Sequence, residues 1–518
     1  STKFYLEDKK AGKSWITKLP FPVHVLAKTE TMDLIGGSRL TTRYKYHHGY
    51  FDGYEREFRG FGMVETIDTE TFEEYSDDPE HYVAPVHTKT WFHTGVFIKA
   101  DEISKQYESE YFRGDENAFL LPDTVIEEKE ALDFLELREA HRTLKGSTLR
   151  QEIYELGKEV PYQVTESSFH VKRLQPGEEN EHGVFFSHAG ETITFHYEQN
   201  AGDPRIAHRF TVEVDEYGNV LKQGQLVYPR RAGEDVKPEQ EKAHATFSVN
   251  EVINETGEFY LLGVSYENRS YEFGPGLPVS PGDQMALSDF KQMVNGALGN
   301  AIAFHESFSV TGPLQARLFT WSRNIFWNEQ QEGALSVGQI TGKALTHHRE
   351  MAAFTPELVN SAYGGDVTEQ HMREAGYVLK EGHWWNPGLI QHYTKGDFYL
   401  PDKTEDPFGG SVEVGYDEYR FVPLETVDAL GNTSRGKIDY RTFQPWQITG
   451  PNGNVSEAIT DPLGMVVATS VYGTEGGEEK GDTPLYASDG SPNYEKQTGT
   501  TVTDILAHPE KYLPQATT

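Results

Sequence analysis

Short runs in which apolar and polar residues alternate dominate the chain, and turn-forming residues separate them. The segments "RFTVEVDEYGNVLKQGQLVYP" (209–229) and "WQITGPNGNVSEAITDPLGMVVATSVYG" (446–473) each have the order strand, turn, strand. Alternation with a period of two places successive side chains on opposite faces of a sheet. The pattern therefore predicts a mainly β fold in which successive strands pair as antiparallel hairpins.

A turn tetrapeptide of the form D-x-x-G recurs along the chain. Asp at the first position of a type I turn accepts backbone hydrogen bonds, Pro is favoured second and Gly fourth. Gly409 and Gly431 are 22 residues apart, Gly453 follows after another 22, and Gly464 after 11, which is one strand plus one turn. We interpret the Asp residues as turn formers and not as catalytic groups. The predicted structural turn residues are Asp215, Gly218, Asp406, Gly409, Asp428, Gly431, Asp461 and Gly464.

Three stretches depart from the alternating pattern. Residues 123–146 have apolar side chains near helical spacing, acids early, bases late and a final glycine, which together predict a helix. The stretches near 284–303 and 355–375 predict shorter helices joined to loops. The Gly- and Pro-containing acidic stretches 229–244 and 473–484 predict surface loops or boundaries.

We divide the chain into three β-rich regions, because 518 residues exceed what one hydrophobic core usually organises. Region 1–160 contains the helix near 123–146, region 161–400 contains the two helical insertions, and region 401–518 contains the hairpin repeats. The chain opens on Ser1 without an initiator Met and closes on "YLPQATT". We expect it to be a fragment or a processed piece of a longer protein.

The composition of the chain excludes several classes of function. A formal net charge of −34 repels nucleic acid and anionic membranes, so we expect neither as a partner. The absence of cysteine excludes disulfides, thiolate catalysis and cysteine-ligated zinc. No apolar run approaches the length of about 18 residues that a membrane-spanning helix needs, and no direct membrane insertion is expected. The 28 Tyr and 29 Phe suit broad sheets better than packed helices.

The strongest metal candidate is "THHRE", with His347, His348 and Glu350. Adjacent side chains lie on opposite faces of a strand, and about a hundred degrees apart on a helix, whereas zinc proteases place their histidines four residues apart. His47 and His48 have the same unfavourable spacing, and their sequence neighbours are aromatic. We therefore predict no metal site and no cofactor.

A carbohydrate-active enzyme or carbohydrate-binding part of a secreted toxin is the alternative to a structural role. The segment "HWWNPG" offers Trp384 and Trp385 as sugar-stacking platforms, but 81 acidic residues leave no catalytic pair to single out. The chain has no nucleophile elbow, Walker loop or dinucleotide-binding glycine fingerprint. We predict no catalytic residues. An enzyme would gather both tryptophans and two acids in one cleft, whereas a wall would spread its aromatics along a sheet.

Long segments of the chain also carry a family pattern. They include "LPFPVHVLAKTETMD" and "RYKYHHGYFDGYEREFRGFGMVETID" near the start, "DPRIAHRFTVEVDEYGNVLKQ" in the middle and "DYRTFQPWQITGPNGNVSEAITDPLGMVVATSVYG" near the end. These segments resemble the middle to C-terminal region of the B component of bacterial tripartite insecticidal toxin complexes, the Tc or ABC toxins. The D-x-x-G hairpins are similar to the tyrosine-aspartate (YD) repeats of the Rhs family. The resemblance implies a long curved antiparallel sheet, a shell wall, with a few short helices.

The resemblance also implies a function. In this family the B and C components form a hollow β-walled shell around the toxic C-terminal part of C, and the shell docks on a pore-forming A component. We therefore expect a non-enzymatic subunit of a secreted toxin complex. Its expected partner is a C-type, repeat-bearing component. Contact with an A-type component is expected only through the family's propeller, which is absent from this chain.

Overall fold

The structure is a computed structural model of the chain. It describes residues 1–32, 38–72, 84–97, 102–177, 181–231, 236–280, 282–309, 311–461 and 464–487, together with 491, 493, 507 and 508. With 45% of residues in strands and 12% in helices, the fold is mainly β, which confirms the predicted class. Two compact units are present, Ser1–Trp321 and Ser322–Thr518. The division at residues 160 and 400 stays a prediction, and the closing "YLPQATT" lies outside the described residues.

In its described residues, unit 1 consists of long antiparallel strands, three α-helices and their connecting segments. The helices are α1 (Thr2–Lys10), α2 (Phe134–Thr143) and α3 (Leu287–Leu298). The strands are β1 (Lys28–Met32), β2 (Ser38–Asp52), β3 (Glu57–Phe72), β4 (Val86–Phe92), β5 (Val125–Ile126), β6 (Thr148–Glu155), β7 (Gln163–Gln175), β8 (Val184–His196), β9 (Arg205–Val214), β10 (Val220–Val227), β11 (His244–Glu255), β12 (Leu261–Phe273), β13 (Ala301–Ile302) and β14 (Ala316–Phe326), which ends in unit 2.

The long strands of unit 1 pair in chain order. β1 to β4 pair successively, β4 pairs with β6, and β6 to β12 again pair successively, always antiparallel. The two-residue strands β5 and β13 are parallel additions beside β7 and β14. This order is the one that hairpins produce, as the alternating pattern predicts.

The main core of unit 1 lies between α3 and the sheet. Phe290 and Val294 of α3 are fully buried, and the Phe290 ring stacks on Phe210 of β9 with centroids 4.2 Å apart. Leu226 of β10 and Phe247 of β11 complete the same layer. Because alternate residues of these strands face α3, the alternating sequence pattern corresponds directly to burial.

The helix predicted for residues 123–146 is shorter in the structure. Residues 125–126 form β5, and residues 129–131 form a 3-10 turn. The helix begins after Asp133, whose side chain accepts a hydrogen bond from the Glu136 backbone N–H while the Glu136 side chain reaches back to Asp133. This capping box sets the helix start, so the prediction of an α-helix was wrong for residues 123–133, nearly half of the stretch.

The described part of unit 2 contains two small α-helices and a long hairpin sheet. Helices α4 (Pro356–Tyr363) and α5 (Glu369–Glu374) lie in the stretch predicted to contain short helices, and α3 lies in the other. The strands are β15 (Thr346–Phe354), β16 (Val378–Lys380), β17 (His383–Asn386), β18 (Ile390–Thr394), β19 (Leu400–Glu405), β20 (Ser411–Tyr416), β21 (Pro423–Val427), β22 (Thr433–Asp439), β23 (Gln444–Thr449), β24 (Val455–Thr460), β25 (Val466–Glu475) and β26 (Glu478–Gly481).

Strands β18 to β26 form a nine-stranded antiparallel sheet in which every strand pairs with the preceding one. The stretch 473–484, predicted as a loop, contains the β25–β26 hairpin. Its tight turn uses Gly476 and Gly477, both with positive φ, so the glycines mark a reversal between strands and not an irregular segment. The other predicted loop, 229–244, ends where β11 begins.

The nine-stranded sheet has little core of its own. Among its described apolar side chains, Ile459 is buried, whereas Ile448, Val466, Val467 and Val471 are about half exposed. A sheet is normally stable when at least one face packs against another layer. The exposure on this sheet therefore indicates a surface that other protein layers can cover.

Candidate functional site: the turn edges of the hairpin sheet

Two kinds of turn alternate along the nine-stranded sheet. We call the edge with turns 406–410, 428–432 and 450–454 the glycine edge. The opposite edge, with turns 395–399, 417–422 and 440–443, is called the aromatic edge. The 22-residue repeat corresponds to two strands and returns to the same edge, while the 11-residue step from Gly453 to Gly464 crosses to the other edge.

The D-x-x-G turns share one hydrogen-bond pattern. In the turn at Asp428 the Gly431 N–H donates to the Asp428 carbonyl at 2.9 Å, and the Asp428 carboxylate accepts from the N–H groups of Leu430 and Asn432, each at 2.9 Å. Gly431 has φ +81°, a left-handed conformation that favours glycine. The Asn432 side chain donates to the same carboxylate, and these bonds hold the pKa of Asp428 below its ordinary value.

The other predicted turns occupy equivalent places. Asp406–Gly409 joins β19 to β20, Asp215–Gly218 joins β9 to β10 in unit 1, and each glycine N–H donates to the aspartate carbonyl. Between β24 and β25, the Gly464 N–H donates to the Asp461 carbonyl at 3.0 Å. The two residues between Asp461 and Gly464 lie outside the described residues. All eight predicted residues thus lie in chain reversals, four pairs in four hairpins.

The aromatic edge contains glycine-free turns that were not predicted, beside the predicted turn that opens at Asp461. Its central turn runs from Asp417 to Val422 and contains no glycine; Arg420 adopts φ +62° in its place. The Asp417 side chain is buried and accepts from the backbone N–H groups of Phe421 at 2.7 Å and Val422 at 2.9 Å, and of Tyr419 at 3.2 Å. One buried carboxylate therefore organises the whole turn, as an Asx turn does.

Four aromatic rings stand together on this edge. Tyr419 contacts Phe421 and Tyr440, with centroids 5.9 and 5.4 Å away, and Phe443 contacts Phe421 and Tyr440, with centroids 6.2 and 6.4 Å away. Despite these contacts the four rings are 41 to 65% exposed. Phe398, in the neighbouring turn, is 82% exposed. The edge therefore presents a row of apolar rings to solvent.

A sequence signal for these turns exists. Asp417, Asp439 and Asp461 are spaced by 22 residues, and a proline follows six positions after Asp417 and Asp439. The turns at Asp417 and Asp439 lack the final glycine, so of these three aspartates only Asp461 fits the D-x-x-G pattern. An aspartate with 22-residue spacing, followed by aromatic residues and proline, is the pattern that marks this edge.

His347 and His348 lie closer together than strand geometry predicts. The register of β14 and β15 shifts between the pairs Ile325–His348 and Phe326–Thr346, so His347 is an extra residue at a β-bulge. A bulge turns successive side chains toward the same face. The two adjacent histidines therefore do not point apart, contrary to the prediction for this position.

The bulge brings the His347 and His348 Nδ1 atoms 2.7 Å apart, which makes one of them a donor and the other an acceptor. Burial and repulsion from His348 lower the pKa of His347 to about 4. Glu350 lies 3.6 Å from His348 and forms an ion pair with Lys380. Within the described ranges no group of three or more His, Cys, Asp or Glu side chains is placed to hold a metal ion.

His47 and His48 have acidic neighbours in space, although their sequence neighbours are aromatic. His47 Nδ1 lies 2.6 Å from Asp8 of α1, and its Nε2 lies 2.8 Å from Glu65 of β3. His48 Nε2 lies 2.8 Å from Glu110. Burial alone would raise the pKa of Glu65, but hydrogen bonds from its histidine neighbours outweigh this and hold the pKa well below its usual range. These contacts tie α1 and the 108–110 turn to the sheet.

Trp384 and Trp385 do not form a sugar platform. Their exposed fractions are 1% and 0%. Trp384 packs with Val359 of α4 and Met372 of α5, and Trp385 carries the Arg323 guanidinium 4.7 Å from its ring centroid. A ring must be accessible to stack on a sugar, so the platform suggested by "HWWNPG" is wrong.

A buried charge cluster helps to hold unit 1 together. Arg150 donates to Glu152 at 2.8 Å and to Glu166 at 2.6 Å, and all three side chains are at most 5% exposed. Glu152 accepts from the Phe112 N–H and Glu166 from the Leu121 N–H. The cluster therefore anchors the 102–125 loop to β6 and β7.

No helix in the described part of the chain is long and apolar enough to cross a membrane.

Two family models of one kind of toxin match residues of unit 1. Residues 1–95 match the family model "Insecticide toxin TcdB middle/N-terminal region", and residues 139–271 match "Insecticide toxin TcdB middle/C-terminal region". No match was found among curated proteins.

Solved structures match over nearly the whole chain. A crystal structure of TcdB2-TccC3 is 27% identical with a TM-score of 0.70, over 93% of this chain and 24% of the solved chain. A crystal structure of TcdB2-TccC3 without its hypervariable C-terminal region is 26% identical with a TM-score of 0.71, over 98% of this chain and 24% of the solved chain. The structure of a Photorhabdus luminescens Tc holotoxin pore is 27% identical with a TM-score of 0.70, over 93% of this chain and 23% of the solved chain. The chain thus spans about a quarter of the solved chains that it matches.

Proposed function

Because this chain is a Tc toxin B-component-like region, we propose that it is a structural subunit of a secreted bacterial toxin complex. In this proposal it forms part of the wall of a hollow β shell that encloses the cytotoxic part of a C-type component and helps to deliver it. The chain itself carries out no reaction.

The single observation that carries the proposal is the nine-stranded sheet of β18–β26. Each strand pairs only with its chain neighbours, so the sheet can be extended by further hairpins without any change of topology. Its described strands bury few apolar side chains, and several of their apolar side chains are about half exposed. Near β23 and β24 the segment after β26 covers part of the sheet, where the Leu485 N–H donates to Glu457 and Tyr486 contacts Trp446. A wall that separates two compartments needs this kind of extended, single-layer sheet, whereas a compact enzyme domain needs a closed core.

A non-enzymatic role is supported by the positions of the candidate chemical groups. Trp384, Trp385 and the Arg150 cluster are buried, and no substrate can reach them without unfolding. His347 and His348 bond to each other. The carboxylates of the four predicted aspartates each accept a backbone N–H group of their own turn, which suits turn formation.

The expected partner is a C-type component that carries more hairpin repeats. The matched structures contain TccC3 beside TcdB2. The match also includes a holotoxin pore, which supports a place for this chain in a larger secreted assembly. We expect binding of the A-type component to need parts of the B component outside this chain.

Co-purification tests the proposal. The chain is co-expressed separately with the C-type and the A-type component encoded in the same gene cluster, and each mixture is analysed by affinity capture and size-exclusion chromatography. We expect a stable complex with the C-type component alone. Capture of the A-type component alone, or a monomer that cleaves a polysaccharide, would contradict the proposal.

A further inference from the structure

The aromatic edge presents more apolar surface than its packing requires. Tyr419 is 55% exposed, Phe421 65%, Tyr440 41% and Phe443 53%, although the four rings contact one another. Single exposed apolar residues are common on proteins, but contiguous apolar patches mark interaction surfaces. These rings lie on two consecutive turns, and Phe398 extends the row to a third.

The edge is held rigid before any partner binds. Tyr440 donates from its hydroxyl to the Asp417 carboxylate at 2.9 Å, which joins the second and third turns. Arg420 donates to Asp397 at 2.7 Å, which joins the first and second. Each turn is therefore fixed to its neighbour by a side chain 23 positions further along the sequence. Rigid, pre-positioned aromatic side chains lose little conformational entropy on binding.

Both arginines on the edge form ion pairs with aspartates, and the same turns also carry Lys395, Asp417 and Glu418. Arg420 is matched by Asp397, and Arg441 by Asp439 at 3.2 Å. The row of rings is thus a locally balanced, apolar strip on a chain whose net charge is −34. Such a strip selects its partner by apolar contact and shape, and not by charge.

The spacing of the rings identifies the shape of that partner. Successive turns on one edge are separated by two strands, which corresponds to about 10 Å, because neighbouring strands lie about 4.8 Å apart. Three turns therefore repeat over about 20 Å. A surface with apolar groups every two strands complements another hairpin sheet with the same repeat, whose own turns arrive at the same interval.

We propose that the aromatic edge is a docking surface for a second hairpin-repeat sheet, supplied by the C-type partner. Turns of that sheet place apolar side chains between the rings of neighbouring turns, so that adjacent bands of the wall lie edge to edge in register. This inference rests on the proposed function and adds to it which surface makes the contact. The solved TcdB2-TccC3 chain is about four times as long as the part of it that this chain matches.

The glycine edge serves as the internal control. It exposes Phe408 at 70% and Leu430 at 87%, but its third turn, 450–454, has the sequence GPNGN and carries no large apolar side chain. The two edges therefore belong to the same strands. The three turns 395–399, 417–422 and 440–443 of the aromatic edge each carry an exposed ring, whereas the third turn of the glycine edge carries no large apolar side chain.

Photo-crosslinking on the complete complex tests the inference. The chain with Phe421→p-benzoylphenylalanine is co-expressed with the C-type component, and Leu430→p-benzoylphenylalanine is the matched control on the glycine edge. Mass spectrometry identifies the crosslinked peptides. We expect position 421 to crosslink to a hairpin-turn peptide of the C-type component, and position 430 to give at least about tenfold less of that product.

A second variant measures the contribution of the rings. Tyr419→Ser, Phe421→Ser and Phe443→Ser are combined, with Phe408→Ser and Leu430→Ser combined as the control. Because hot-spot aromatics dominate interfaces, we expect the first variant to weaken binding of the C-type component by about tenfold or more and the control to change it less than about threefold. Unchanged circular dichroism shows that both serine variants fold. If either variant does not fold, the crosslinking experiment alone tests the inference, because it keeps a bulky aromatic group at position 421.

The outcomes separate the inference from the proposed function. If the C-type component co-purifies but position 421 crosslinks elsewhere and the ring variant binds normally, the inference is overturned and the wall role stands. If position 421 crosslinks to a second copy of the chain, or the ring variant instead loses binding to chitin or cellulose, the inference is also overturned. If the unmodified chain does not bind the C-type component, both fail.

Discussion

The Tyr440 hydroxyl donates a hydrogen bond to the Asp417 carboxylate at 2.9 Å, from one turn of the aromatic edge to the turn before it. Asp417 also receives three backbone N–H groups of its own turn. Burial, followed by the bond to Asp417, raises the pKa of Tyr440 to about 12. A tyrosine and an aspartate 23 positions apart therefore fasten successive hairpins together, and the same aspartate shapes the turn that it belongs to.

Removal of this bond should loosen the edge locally. Tyr440→Phe deletes the donor and keeps the ring, so we expect the melting temperature to fall by a few degrees and amide hydrogen exchange to rise in residues 417–422. Tyr363→Phe removes an exposed hydroxyl from the same unit and should change neither. Equal protection of residues 417–422 in both variants would show that the bond does not hold the turns together.

Gly431 should be intolerant of a side chain because of its backbone conformation alone. It has φ +81°, and nothing lies within 4 Å of the place that a Cβ atom would occupy, so Gly431→Ala meets no steric clash and costs about 1 kcal/mol through strain. Gly436 in β22 has an ordinary φ and a nearest neighbour at 3.9 Å, so Gly436→Ala should be neutral or slightly stabilising. Denaturant unfolding of the two variants measures the difference. Equal stability would contradict a left-handed turn at Gly431.

Arg150 should be essential to unit 1. Arg150→Met leaves the buried Glu152 and Glu166 carboxylates without their cation, and we expect a loss of about 3 to 5 kcal/mol in the free energy of unfolding. The exposed pair of Arg435 and Glu425 is the control, because Arg435→Met should cost less than about 1 kcal/mol. Similar losses for the two variants, measured by denaturant unfolding, would show that the buried cluster does not hold the 102–125 loop.

Acid should destabilise unit 1 through two buried histidines. Burial lowers the pKa of His93 and of His141 to about 4, from an ordinary 6.5. At pH values between about 4 and about 6.5, these two histidines bind protons in the unfolded chain but not in the folded chain. The free energy of unfolding therefore falls as the pH drops from about 6.5 to about 4. Each histidine should contribute on the order of 1 to 3 kcal/mol to this loss.

The test of this pH dependence compares slopes and not absolute stabilities. Melting temperatures are measured from pH 7.5 to pH 4.5 for His141→Gln and for His24→Gln, which replaces an exposed histidine. We expect a shallower decline for the first variant and an unchanged decline for the second. Parallel curves for both would mean that His141 is not protonated during acid unfolding.

The sequence contains enough information for the hairpin order but not for all of its turns. The D-x-x-G turns at Asp406 and Asp428 are visible because glycine is needed where φ is positive. The turns at Asp417 and Asp439 use Arg420 and Phe443 in left-handed conformations instead, and non-glycine residues there carry little local signal. Their aromatic exposure depends on what surrounds the sheet edge, and a pattern of residues along the chain does not contain that information.

Local sequence patterns also did not predict the contacts of the histidines or the burial of the two tryptophans. The contact between His347 and His348 follows from a bulge that a single shifted register creates. The acids around His47 come from α1 and β3, 39 and 18 residues away in the sequence. Trp384 and Trp385 resemble an exposed platform in the sequence, yet α4, α5 and Arg323 cover them. Long-range packing decides each case.

A three-dimensional electron microscopy reconstruction of this chain bound to its C-type component tests the central claim most directly. If the chain is part of a shell wall, β18–β26 will run into further hairpin strands around an enclosed volume, with density for the C-type component inside and at the sheet edges. A C-type component bound on one side of a solid particle, with both faces of β18–β26 in solvent and no enclosed volume, would contradict the wall role.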